Sequence, residues 1–189
     1  MTGGIGAGKS EALRAFARHG AAVVSSDEIV HGLLREEGEV RDALLERFGP
    51  GILDERDQID RARVGEIVFA DRGELAWLEA LLHPRVVREY LAWREELGRG
   101  PDPPAVCVTE VPLLYEVGGE DRFDAVVVVT APADLRAART ALPPDDRAER
   151  LLPDAEKVRR ADFAYVNDRS LEELDAFVGG VMRELEGRA

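Results

Sequence analysis

The chain opens MTGGIGAGKSEALRAF, residues 1–16, and this stretch decides the fold. Gly3-Gly4-Ile5-Gly6-Ala7-Gly8-Lys9-Ser10 satisfies the pattern G-x-x-x-x-G-K-[ST] at every fixed position. Glycines at those places let the backbone curl until successive N–H groups converge on a phosphate, beside the positive end of a following helix. Residues 9–19 supply that helix, with Leu13, Phe16 and Ala17 on one face. In such a loop Gly4, Ile5, Gly6, Ala7 and Gly8 cradle phosphate oxygens. Lys9 bridges the β- and γ-phosphates, and Ser10 offers its hydroxyl to Mg²⁺. A glycine-rich tail that binds nothing is the bland alternative, and the amphipathic helix directly after the loop argues against it. Nucleotide binding is the firm expectation.

Outward from the loop, four runs read as buried strands: residues 21–25 (AAVVS), 105–111 (AVCVTEV), 125–130 (AVVVVT) and 163–166 (FAYV). They are valine-rich and largely lack alternation, which suits a sheet covered on both faces. Helical patterns lie between them, at 27–35, 40–48, 61–69, 74–82, 86–97, 133–141, 155–161 and 171–185. The last opens with Ser170-Leu171-Glu172-Glu173, a capping box. Strands alternating with helices imply an α/β fold, a parallel sheet flanked by helices. The gap between the first two runs is too long for a simple crossover. It reads as a helical substrate-binding insertion, about 28–100, closed by GRGPDPP at 98–104. LPPDD at 142–146 lies in a short charged segment, about 140–160, where a flap or lid could sit.

The totals narrow the function. A length of 189 residues suits a single domain, and 45% hydrophobic with 33% charged content is that of an ordinary globular protein. A formal charge of −13 argues against a nucleic-acid partner held by general electrostatics. It leaves room for a phosphate ligand held by backbone amides and a few cations. Cys107 is the only cysteine, so no internal disulfide forms. No stretch approaches the roughly 20 apolar residues of a membrane span. A cytoplasmic monomer is expected, with no nucleic-acid or membrane partner.

Several residues bear chemistry. Asp27 follows the first strand run, where strand ends line the ligand crevice of an open α/β sheet. It either accepts a proton from a substrate hydroxyl or caps the next helix, and position alone leaves the two even. Glu110, an acid inside a valine-rich strand, either holds Mg²⁺ through water or is a buried hydrogen-bonded side chain. Glu116 reads as a solvated or structural loop residue. Arg136, Arg139, Arg147, Arg150, Arg159 and Arg160 cluster late in the chain. One or two of them would counter triphosphate charge, the rest being solvated helix faces among Asp154, Glu156 and Glu149. His83-Pro84 is expected to end a helix, with His83 in a packing or capping role. No Cys or His cluster supports metal binding there.

With these residues in place, the chain resembles the dephospho-CoA kinases, which phosphorylate the ribose 3′-hydroxyl of dephospho-CoA to give CoA. TGGIGAGKS (2–10), VVSSDEIVHGLL (23–34), LLERFGPGIL (44–53), IDRARVGEIVFAD (59–71), WLEALLHP (77–84) and EVPLLYE (110–116) follow in that family's order. The resemblance implies a P-loop kinase domain with ATP as co-substrate and Mg²⁺ as metal. It assigns the general-base role to Asp27, phosphate stabilisation to Arg139 and a place in the nucleotide site to Asn167. It puts His83 and Pro84 in the substrate region. Arg136→Lys is accordingly expected to be nearly silent beside Arg139→Lys. The chain departs from the family pattern at Ser25, Pro143, Leu151 and Arg169.

A family member carries five core strands, with the one feeding the loop at the centre, whereas four runs are visible here. Only Met1 and Thr2 precede the loop. The expectation is therefore a missing first strand, an open apolar slot in its place, and a natural start several residues upstream. Two further readings compete on function: another small-molecule P-loop kinase acting on a nucleoside or nucleotide, and a nucleotide-binding pseudoenzyme. A GTPase is disfavoured, because YVND at 165–168 lacks the N-K-x-D guanine signature.

Overall fold

In the computed structural model, residues 1–36, 38–140 and 151–188 are described. They divide into two units, Met1–Ser25 with Gly98–Ala189, and Ser26–Leu97.

In the first unit the valine runs form strands. β2 (Ala22–Ser25) pairs in parallel with β3 (Cys107–Glu110), so that Ser25 stands opposite Glu110. β4 (Val127–Thr130) pairs in parallel with β5 (Phe163–Val166) on one side. On its other side lies β1, only Thr2–Gly3, with Thr2 opposite Val128 and Gly3 opposite Val129. Met1 joins the two ladders. Its amino group donates to the Thr109 carbonyl at 2.8 Å, and its carbonyl accepts from Val111 N–H at 2.9 Å.

The expectation of a missing first strand is thus corrected. Residues 1–3 lie between the ends of β3 and β4, where an open slot was anticipated. Periodicity could not reveal a two-residue strand, because both of its hydrogen-bonding partners are more than 100 residues away. Enclosure has an electrostatic consequence. Burial pushes the Met1 amino group down from an ordinary 8.0 to about 5, with the Glu110 carboxylate pulling the other way.

Alternation along β4 explains the unbroken valines. Val127 and Val129 pack into a core with Leu13, Phe16, Leu174 and Val178, whereas Val126 and Val128 pack with Leu114 and Tyr115 on the other face. The first core lies under α1 (Lys9–Arg18) and α8 (Leu171–Glu186). Arg18 and His19 both reach Asp175, at 2.8 and 2.9 Å, and fasten one helix to the other. The capping box of α8 forms as its sequence anticipates, Ser170 Oγ accepting from Glu173 N–H. α6 (Ala133–Arg139) follows β4, and α7 (Asp154–Arg160) precedes β5.

The second unit is helical: α2 (Ser26–Arg35), α3 (Glu39–Phe48), α4 (Arg61–Ala70) and α5 (Arg72–Gly98). Leu34, Leu44, Ile52, Val64, Val68 and Leu82 form its core. Asp60 caps α4 by accepting from the N–H groups of Ala62 and Arg63. The expected helix break at His83-Pro84 does not occur, and α5 runs through Pro84. Leu82, Val86 and Tyr90 are buried at four-residue spacing across the proline, so packing outweighs the lost N–H. The Arg85 guanidinium also donates to the Leu81 carbonyl at 2.7 Å beside the defect.

Candidate functional site

The phosphate loop turns between β1 and α1. Gly8 lies in the left-handed region at φ 94°, and a Cβ there would stand 2.1 Å from Asn167 Nδ2. Only glycine serves both the turn and the close approach. Its carbonyl accepts from Glu11 and Ala12 N–H, which starts α1 with no side-chain cap. The N–H groups at this helix start therefore remain for an anion. Ala7 is fully buried, Ile5 is half-buried, and Ser10 is exposed in the first turn of α1.

Asn167 fixes the loop from the opposite side. Its side-chain amide donates to the Ala7 carbonyl at 2.9 Å, and its backbone N–H donates to the Thr130 carbonyl at 2.7 Å. Asn167 is itself buried, so this staple works in a water-poor setting. Arg139 Nη1 donates to the Asn167 carbonyl at 3.1 Å, which puts the expected phosphate-stabilising arginine beside the Gly8 end of the loop.

Lys9 lies across the loop. Its Nζ donates to the Gly4 carbonyl at 3.2 Å and stands 3.8 Å from Glu110 Oε1. Glu110 is buried at the end of β3. A buried carboxylate facing a loop lysine is its nearest counter-charge. Glu110 and the Ser10 hydroxyl are hard oxygen donors of the type Mg²⁺ takes alongside phosphate oxygens. Among the described residues no cluster of three or more His, Cys, Asp or Glu forms a metal cage.

Asp27 is the second residue of α2, two positions after β2 ends, and is exposed. It therefore sits inside the first helical turn, where an acid favours the helix dipole. His83 and Pro84 lie within α5. Glu116 is structural, not solvated. It faces Lys157 at 2.7 Å, and its Oε1 accepts from Leu152 N–H at 2.9 Å. Lys157 is fully buried, and nothing in the sequence announced this pair, whose members are far apart in the chain. Arg159 pairs with Glu156 and Arg160 with Glu120, on the solvated faces anticipated for most of the clustered arginines, and Arg169 pairs with Glu173. Pro143, Arg147, Arg150 and the centre of the expected lid lie outside the described residues.

A family model for dephospho-CoA kinase matches residues 1–173. The chain belongs to the dephospho-CoA kinase family. A dephospho-CoA kinase of Thermobifida fusca is 36% identical over the whole chain and 96% of its own length. That of Mesorhizobium japonicum is 37% identical with the same coverage. Among solved structures, a Thermus thermophilus protein is similar at TM-score 0.74 and 32% identity, covering 97% of this chain and 95% of its own. Dephospho-CoA kinase from Campylobacter jejuni aligns at TM-score 0.72 and 25% identity, covering 98% of this chain and 95% of its own. Among the described residues no helix is long and apolar enough to cross a membrane.

Proposed function

We propose that this chain transfers the γ-phosphoryl group of ATP to the ribose 3′-hydroxyl of dephospho-CoA, completing CoA. The observation that carries the reading is Lys9, held between the Gly4 carbonyl and Glu110 on a loop stapled by Asn167, in a member of this family. The amides of Gly4 to Gly8 hold the phosphates, and Lys9 exchanges the Gly4 carbonyl for phosphate oxygens as the nucleotide enters. Arg139 adds charge at the same end. Mg²⁺, when bound, neutralises charge on the phosphate oxygens, with Ser10 and Glu110 as the residues to hold it directly or through water.

Asp27 accepts the proton of the attacking hydroxyl. Catalysis in such transfers is positioning and charge stabilisation, so a weakly basic carboxylate suffices. The acceptor lies against the helical unit Ser26–Leu97, near His83 and Pro84, and the protein works as a cytoplasmic monomer. The test is ATP consumption with dephospho-CoA, set beside a panel of nucleosides and nucleotides. Turnover that depends on dephospho-CoA supports the reading. Turnover with a nucleoside alone points to another small-molecule kinase, and none with any acceptor to a nucleotide-binding pseudoenzyme.

A further inference from the structure

Gly4 is where several contacts of the loop meet. Its carbonyl accepts from Ala7 N–H and from Lys9 Nζ, both at 3.2 Å. A Cβ added to Gly4 would stand 2.7 Å from Arg136 Nη1 and 3.3 Å from Asp154 Oδ1. An ion pair therefore rests directly on the loop, Arg136 Nη1 lying 3.2 Å from Asp154 Oδ2. The backbone of the same arginine packs on Gly6, where a Cβ would stand 2.7 Å from the Arg136 carbonyl oxygen. Arg136 thus spans the Gly4–Gly6 turn, with its main chain on one end and its guanidinium on the other. Its Nε is buried with no hydrogen-bond partner among the described residues. A desolvated, unpaired donor is a cost that a surface arginine would shed by swinging into water. Asp154, in the first turn of α7, keeps it in place.

We propose that Arg136 is a positioning residue for the phosphate loop. Braced by Asp154, it fixes the Gly4–Gly6 turn, and through it the carbonyl that holds Lys9 and the amides that meet phosphate. The sequence had set Arg136 aside in favour of Arg139. The two divide the loop between them, Arg136 at the Gly4 end and Arg139 at the Gly8 end. This inference rests on the nucleotide-binding reading above.

Because the effect passes through the loop, it acts on the phosphates common to ATP and ADP. A direct contact to the γ-phosphate would act on ATP alone. Calorimetric titration of the full chain with ATP and with ADP separates the cases, with thermal melts in parallel. Arg136→Gln should weaken both nucleotides by the same factor, about tenfold, as is usual when a supporting contact behind a binding group is lost. Asp154→Asn should act in the same direction and more weakly. Arg136→Lys should not restore affinity, because a lysine lacks the planar fork that packs on Gly4. Should Arg136→Gln fail to fold, Gly4→Ala pushes the guanidinium away from the loop side and must produce the same equal loss. Unchanged nucleotide affinity with a lowered melting temperature would make the pair purely structural and overturn the proposal. So would a loss confined to ATP, or full rescue by lysine. If the unsubstituted chain binds neither nucleotide, the nucleotide reading itself falls.

Discussion

Removing the Asn167 side chain tests whether the loop is held from behind or reads its ligand directly. In Asn167→Ala the Ala7 carbonyl loses its 2.9 Å donor in a buried setting. An orphaned buried acceptor costs about 1–3 kcal/mol. For a chain of this size each kcal/mol lowers the melting temperature by about 2–4 °C, so a fall of about 2–12 °C is expected. Asn167→Asp should be at least as damaging, since a carboxylate would face the Ala7 carbonyl with no proton to donate. ATP and GTP affinities should drop together, because the staple positions amides that see only phosphate. Thermal melts by circular dichroism, with titrations of both nucleotides, provide the readout. An unchanged melting temperature together with loss of ATP but not GTP binding would refute the staple and make Asn167 a base-reading residue.

Lys9→Ala should reduce turnover by about a thousandfold or more, roughly 4 kcal/mol of transition-state stabilisation, while steady-state kinetics on a folded variant would expose any smaller role. Asp27→Asn should lower kcat by about 10²–10⁴-fold if the carboxylate takes the proton, with a stability change of only a few tenths of a kcal/mol. Unchanged kcat in that variant would remove Asp27 from the proton transfer and leave it a structural role at the start of α2. The Met1 amino group predicts a pH dependence. Its folded pKa of about 5 lies below its ordinary 8.0, so the folded state binds fewer protons, and stability is fully present above pH 8 and lost as pH falls towards 5. The interval corresponds to about 4 kcal/mol at most. Denaturant melts across pH 5–8 should show that slope, and a chain extended upstream by an apolar run, in which the amine becomes a peptide N–H, should lose it and melt higher. Superimposable curves for the two forms would show that the amine is not desolvated.

The loop, the valine-rich strands and the capped helices were legible because each is written locally: a fixed spacing, an apolar run, a Ser and Glu three residues apart. What could not be read was long-range. β1 consists of two residues whose partners are Val128 and Val129, and no window of periodicity contains them. Pro84 signalled a break, but the buried stripe through Leu82, Val86 and Tyr90 carried the helix onward. At the site, the motif singled out Lys9, an acid in a valine-rich strand drew notice to Glu110, and the resemblance implied Asn167. It could not show that Asn167 spends its amide on Ala7, nor that Arg136 and Asp154 meet over Gly4. Charge clustering alone could not rank the arginines, because which of several cations touches the loop depends on tertiary packing.

The most direct test of the central claim is to identify the product. The chain is incubated with ATP, Mg²⁺ and dephospho-CoA, and the acceptor is recovered and examined by phosphorus NMR with proton coupling. The account predicts one new phosphomonoester, coupled to the ribose 3′ proton and formed in equal amount to ADP. A phosphate at any other position of the acceptor, or ADP formed with no phosphorylated acceptor, would contradict it.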